Sequence, residues 1–366
     1  MPTFDNLINR YDTRTLLDVV TYQEPKPSMF RNSFFNGPDV YFSTKWAEWD
    51  EVREGASMAR YVGDKLEVDA TEFEPFITKQ IETPRFQEKR SLDLTVFTTR
   101  APGENIYSQR TPADRAREKE QGAIEFCMDA CDRRVEQQCS SLMTTGRVDI
   151  LGKGVDVYVD YDLPLKLTLA PSDQWGAPGI RPFKDLIEWA TKLRKRNYNP
   201  DMLLMELSVA DIFMNDPDYR AMLDNTRMEM GRIAPGPVND LFQTAQYFGQ
   251  IKWPGLGVLD LYTYAGTYKK EVKDPITGVI TYEEAPYLDE GRVLMLTPEA
   301  RRNRILYGAE TIVMEGSEEV VTVEGRYVPE IYTDRRAKTK TYMVTQRAMP
   351  APFKDDSWWT VKVLGS

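Results

Sequence analysis

Histidine occurs nowhere in the 366 residues. Its absence removes Ser-His-Asp and Cys-His catalysis, and with them His-ligated zinc and haem. Carboxylate-, Lys- or Tyr-based chemistry survives, as does a protein that performs no chemistry. Cysteine is scarce: Cys127, Cys131 and Cys139 are the whole complement, spaced four and eight apart on one apparent helix. Three thiols without a histidine leave a tetrahedral metal set incomplete. They read as small buried residues on a helix face, in a reducing compartment. No run of about 18 apolar residues is present, so no membrane-spanning helix is expected. Met1-Pro2-Thr3-Phe4-Asp5-Asn6 has no cationic segment leading into an apolar one, so no signal peptide is expected. The expectation is a soluble protein that stays where it is made.

Positive charge is in deficit. With 47 Lys and Arg against 57 Asp and Glu, the formal charge is −10. A protein whose task is to grip nucleic acid usually carries a Lys/Arg excess over the phosphates it neutralises. The acidic total argues against that task without forbidding a brief or indirect encounter with DNA, and any contact with DNA is expected to be non-specific. Phosphate-binding glycine signatures are missing too: there is no Gly-x-x-x-x-Gly-Lys-Ser/Thr, and Gly255-x-Gly257 precedes a strand instead of joining strand to helix. Ser33, Ser57 and Ser208 lack a nucleophile-elbow context. The 57 acidic residues leave a carboxylate-dependent hydrolase open, but nothing selects a pair. No catalytic residue, cofactor or metal ligand is assigned, and no enzyme activity is expected.

What is present is ordinary globular material, 41% hydrophobic and 28% charged. The length suggests about two domains, and no repeat or low-complexity segment appears. Residues 1–40 are polar and broken by Pro25, Pro27 and Pro38, with Asn32-Ser33-Phe34-Phe35-Asn36 as an aromatic anchor in an otherwise extended arm. A short strand at 40–43 follows. From 54 to 97 the residues alternate as strands do. Gly63-Asp64 between 57–62 and 65–69 reads as a hairpin turn, and Pro84 turns the chain back through 92–97. Apolar residues are too thin there to bury both faces, so packing on another subunit is expected.

Thr111-Pro112-Ala113-Asp114 combines an N-cap, a proline at the first helical position and an acidic residue three on. Ala116, Ala123, Cys127, Ala130, Cys131, Val135, Cys139 and Leu142 then recur at near-helical spacing up to Gly146, a C-cap glycine. The spacing predicts one helix over 112–145, about 50 Å long. Residues 147–151 and 155–162 predict a hairpin with Asp156, Asp160 and Asp162 on a solvated face. Amphipathic spacing predicts a helix at 182–195. Ser208-Val209-Ala210-Asp211 reads as a capping box, Pro217 as a helix start running to Met228, and Pro237 as another running to Phe248. Residues 257–264 predict a strand, and 268–273 with 278–284 a second exposed hairpin around Asp274-Pro275-Ile276-Thr277. Thr297-Pro298-Glu299 predicts a capped helix stopping at Gly308. Strands close the chain at 327–331, 342–345 and 358–363, Trp358-Trp359 reading as core packing. Arg301-Arg302-Asn303-Arg304 and Arg335-Arg336-Ala337-Lys338 read as salt-bridging clusters.

Four stretches carry a resemblance. They are Phe73-Glu74-Pro75-Phe76-Ile77-Thr78-Lys79 with Ile81-Glu82-Thr83-Pro84; Asp114 through Gly152; Pro286-Tyr287-Leu288-Asp289-Glu290-Gly291-Arg292-Val293-Leu294-Met295-Leu296-Thr297-Pro298-Glu299-Ala300-Arg301; and Gln346-Arg347-Ala348-Met349-Pro350-Ala351-Pro352. In their order and spacing the chain resembles tailed-bacteriophage major capsid proteins of the phage-lambda type, the capsid protein E family. The similarity runs from about residue 30 to the end and is weakest between 160 and 250.

The resemblance implies an α+β tailed-phage capsid (Johnson) fold. Its parts would be an N-terminal arm with first strand (1–49), an extended hairpin loop (50–97), a peripheral domain (98–181 and 309–366) holding a spine helix (112–145), and an axial domain (182–308) with a projecting hairpin (268–284). It implies hexamers and pentamers tiling an icosahedral shell around double-stranded DNA, in a virion assembled in the host cytoplasm. Scaffolding, portal and decoration proteins are the implied further partners; no membrane is. Inter-subunit contact is expected at Tyr61, Val62, Gly63, Asp64, Lys65 and Leu66, and at Asp274, Pro275 and Gly278. A relative of this fold cross-links subunits through Lys and Asn, but Lys65 has no identifiable partner Asn and no cross-link is expected. The competing readings are a cellular compartment built on the same fold around protein cargo, and the carboxylate hydrolase.

Overall fold

A computed structural model describes residues 28–51, 77–97, 111–152, 155–225, 245–253, 257–273, 280–313 and 320–365. The expected hairpin turn at Gly63-Asp64 and the turn at Asp274–Gly278 lie outside these residues.

The described chain begins with helix α1 (Met29–Phe34), then β1 (Val40–Tyr41), β2 (Trp46–Glu51), β3 (Ile77–Glu82) and β4 (Arg85–Asp93). Helix α2 (Pro112–Thr145) leads into β5 (Arg147–Gly152), β6 (Val155–Asp160) and β7 (Lys166–Thr168). Helix α3 (Pro182–Lys195), β8 (Met202–Met205), α4 (Leu207–Met214) and α5 (Pro217–Asn225) follow. Then come β9 (Ala245–Trp253), β10 (Gly257–Tyr264), β11 (Thr267–Lys273), β12 (Ile280–Pro286) and β13 (Arg292–Leu296). The last strands are β14 (Arg304–Tyr307), β15 (Glu310–Val313), β16 (Val320–Val323), β17 (Val328–Asp334), β18 (Thr339–Ala351) and β19 (Trp358–Lys362).

Two large sheets organise these elements. A six-stranded sheet runs β7-β19-β13-β8-β10-β9, and a five-stranded sheet runs β1-β14-β18-β17 with β4 also on β18. Both draw on distant segments: β19 lies between β13 and β7, and β14 pairs with β1 and β18. Within the expected hairpin range 50–97, β3 pairs with β2 in a separate sheet while β4 returns to β18.

The continuous apolar run of β8 and β13 has a geometric cause. Successive side chains in a strand point to opposite faces, and both faces of this sheet are covered. Met202, Leu204, Leu294 and Leu296 enter one core with α1 and the C-terminal half of α2. Leu203, Met205, Val293 and Met295 enter another with α3 and α4. Trp358 and Trp359 divide the same way, one into each core.

Helix α2 forms as its sequence signals indicate. Thr111 and Asp114 make a reciprocal capping box, and Gly146 closes the helix at φ +70°. Its N-terminal half lies on the five-stranded sheet, where Cys127 and Cys131 pack with Tyr342 and Val344. All three cysteines are free and buried.

Four expectations are corrected. Residues 29–34 are helical, not extended: Phe30 and Phe34, about one helical turn apart, both bury in the core shared with the C-terminal half of α2. The helix expected to reach Phe248 is excluded over 245–248, which lie in β9 paired to β10. The helix expected to run from Thr297 to Gly308 is a single 3-10 turn, Pro298–Arg301. Pairing of Arg304–Tyr307 with β18 takes the rest, and the Thr297 hydroxyl donates to Ser357 O at 2.7 Å instead of capping. Finally, Glu206 caps α4, accepting from Ser208 N, so Ser208 lies inside the helix.

Candidate assembly surfaces

Outside the two large sheets, four two-stranded sheets are found among the described residues: β2–β3, β5–β6, β11–β12 and β15–β16. A two-stranded ribbon buries little of its own surface. Half of the large apolar side chains exposed among the described residues lie on these four ribbons. They include Trp46, Leu151, Tyr158 and Tyr282.

The β5–β6 register explains how apolar surface is carried outward. Val148 faces Val159, Ile150 faces Val157, and Gly152 faces Val155 across the ladder, so these residues share one face. Val148 is buried at the base, whereas Val157 and Val155 towards the tip are 53% and 46% exposed. The other face pairs Arg147 with Asp160, Asp149 with Tyr158 and Leu151 with Asp156. Arg147 Nε donates to Asp149 at 2.6 Å and its guanidinium lies 3.8 Å from the Tyr158 ring. Asp156, Asp160 and Asp162 are solvent-exposed, as the alternation predicts.

On β15–β16, Val313 and Val320 stand directly opposite each other, 61% and 64% exposed, while Ile312 on the other face is buried. The sequence reading did not single out this ribbon. The signal was the alternation of Glu310-Thr311-Ile312-Val313 against Val320-Val321-Thr322-Val323. The β11–β12 ribbon sets unlike charges opposite each other, Lys269 against Glu284 and Lys270 against Glu283. It is the stem of the expected hairpin whose tip residues Asp274, Pro275 and Gly278 lie outside the described residues. The β2–β3 ribbon flanks residues 52–76 in the chain, and Tyr61, Val62, Gly63, Asp64, Lys65 and Leu66 among them also lie outside the described residues.

Charged groups inside the subunit fix the platform that carries these ribbons. Lys340 Nζ and Glu120 Oε1 pair at 3.1 Å, both buried, tying α2 to β18. Asp132 accepts from Arg326 Nη2 at 2.7 Å and from Tyr327 Oη at 2.5 Å. Glu310 binds Arg347 at 2.5 Å and Arg85 at 3.1 Å. Arg301 pairs with Asp201 at 2.8 Å, as its cluster suggested, whereas Arg302 and Arg304 stack on Phe353.

Among the described residues, no group of three or more Cys, Asp or Glu is placed to hold a metal ion. Burial pushes the Cys127 thiol up to about 12 and raises those of Cys131 and Cys139. No described helix is long and apolar enough to cross a membrane.

The fold is similar to that of a prophage capsid protein from E. coli CFT073, at 18% identity and a TM-score of 0.66 over 97% of this chain and 99% of that one. Weaker likenesses are a phage-related protein from Bordetella bronchiseptica RB50 (12% identity, TM-score 0.48, 96% and 97% covered) and the capsid of cyanophage P-SCSP1u (10%, 0.49, 94% and 90%). Comparison with curated protein sequences gives no match. Residues 12–363 match the model of phage major capsid protein E, and the chain belongs to that family of shell-forming structural proteins of the virion.

Proposed function

We propose that this chain is the repeating unit of an icosahedral shell around double-stranded DNA, built from its own hexamers and pentamers. The observation that carries the reading is the apolar surface on two-stranded ribbons, which their own subunit leaves open. Exposed apolar patches of this kind are characteristic of protein–protein contact. Residues 50–97, with Tyr61–Leu66 at the tip, would reach across a neighbouring copy, and Asp274, Pro275 and Gly278 would form a second contact. The six-stranded sheet with α3 and α4 supports an axial unit around 182–308, joined by β7 and β19. The five-stranded sheet with α2 supports a peripheral unit, joined by β14. An acidic surface suits a container that must not hold its DNA tightly. Scaffolding, portal and decoration proteins would assist assembly in the host cytoplasm. The role is structural, without catalysis.

Negative-stain electron microscopy of the chain, alone and co-expressed with its neighbouring phage genes, tests this. Closed shells, open sheets or rings of five and six are expected. A persistent small oligomer under both conditions would overturn the reading. Shells enclosing protein cargo and no DNA would overturn the DNA-container part alone.

A further inference from the structure

Glu136 is a glutamate whose carboxylate lies beside the main core and takes its partners from α1 and its N-cap. It sits on α2 at 2% exposure, beside Val135 and Cys139, whose side chains line that core. Oε1 accepts from Phe30 N at 2.6 Å and Oε2 from Arg31 N at 2.9 Å. The Ser28 side chain adds a third hydrogen bond. All three partners belong to α1 or its N-cap, more than a hundred residues away in sequence.

These bonds answer a need that α1 cannot meet itself. The first N–H groups of a helix lack internal partners, and Ser28 makes no side-chain cap to them. A six-residue helix also has too few internal hydrogen bonds to persist alone in water. Helix α1 is held by Phe30 and Phe34, both fully buried, and by this carboxylate. Phe30 packs edge-on against Phe34 and Tyr264.

The charged surroundings fit a carboxylate. Arg31 lies close enough to lower the carboxyl's pKa, although burial is the larger influence and raises it. The Arg31 guanidinium in turn reaches Asp39 at 3.4 Å and the Tyr307 hydroxyl at 3.5 Å. Arg31 thus links the α1 joint to β14 and to the chain leading into β1.

We propose that Glu136 is a positioning residue that acts as the joint between the N-terminal arm and the long helix, so that loosening it frees α1 while both large sheets stay folded. The placement of α1 is then set by α2, and a displacement of α2 near residue 136 would be passed to α1 through two backbone hydrogen bonds.

Hydrogen exchange read by mass spectrometry on the full chain tests the joint, with wild type and variant compared in the same assembly state. Glu136→Gln keeps the volume but turns an amide N–H₂ towards one of the two backbone donors. Exchange in residues 28–36 should accelerate by about tenfold or more, while peptides from β13 and β19 keep wild-type rates. Glu136→Asp, one methylene shorter, should give the same pattern to a smaller degree and serves if the glutamine variant does not fold. Unchanged exchange at 28–36 would overturn the proposal. So would equal acceleration in β13 and β19, because Glu136 would then support the core as a whole.

Discussion

Trp358 and Trp359 are adjacent in sequence yet belong to different cores, since neighbouring strand positions face opposite ways. Trp358 also donates its indole N–H to Met143 O at 3.1 Å at the end of α2, which satisfies a polar atom the core would otherwise strand. The three cysteines obey the same logic of burial without chemistry. The thiolate is the reactive species, and a thiol pKa raised by burial keeps the group protonated well above pH 8. Iodoacetamide at pH 8 should therefore leave Cys127, Cys131 and Cys139 unmodified in the folded chain and alkylate all three in denaturant. Intact-mass spectrometry distinguishes the outcomes; a labelled thiol in the native chain would refute the packing described.

Among the elements, α2 is specified at both ends by local signals and along its length by packing. Thr111→Ala should cost about 1 kcal/mol through loss of the capping box. Gly122 lies in the helix interior, and a methyl group added there meets nothing within 4 Å. Gly122→Ala should thus stabilise the subunit by about 1 kcal/mol, with the opposite sign to the cap variant in the same urea titration. A loss of stability would mean that the space beside Gly122 is filled in solution. Other elements yielded to pairing. Thr297-Pro298-Glu299 is a sound helix start, but a strand at 304–307 gains hydrogen bonds from both β1 and β18, and a helix over those residues would forfeit them.

For the molecule as a whole, the open ribbons and the closed platform separate assembly from folding. The described strands of both large sheets all lie outside residues 60–68. Deleting Arg60 to Val68 should preserve the circular dichroism spectrum and cooperative melting while abolishing shells in the electron microscope. Shells formed by the deletion variant would remove the interface role proposed for that hairpin. The buried pair Glu120–Lys340 and the half-buried pair Glu310–Arg347 join the long helix and a ribbon to β18. Breaking a buried ion pair by removing one partner leaves an uncompensated charge in the core, so these sites belong to the platform.

The sequence by itself determined the span and caps of α2, the inert burial of its cysteines, and the β5–β6 and β11–β12 ribbons. Each depends on neighbours within a few turns or a single hairpin, and periodicity reports such order directly. The ordered motifs also carried the resemblance to the capsid protein E family. Only the tertiary structure decided that α1 is helical, that 304–307 is a strand, that β19 lies between β7 and β13, and that Glu136 caps a helix more than a hundred residues distant. Periodicity states which face of a strand is buried, never which strand lies beside it. A glutamate among charged residues on a long helix reads as solvated until its partners are known. Those outcomes rest on contacts between segments far apart in the chain, where the hydrogen bonds and buried area gained on assembly outweigh local preference.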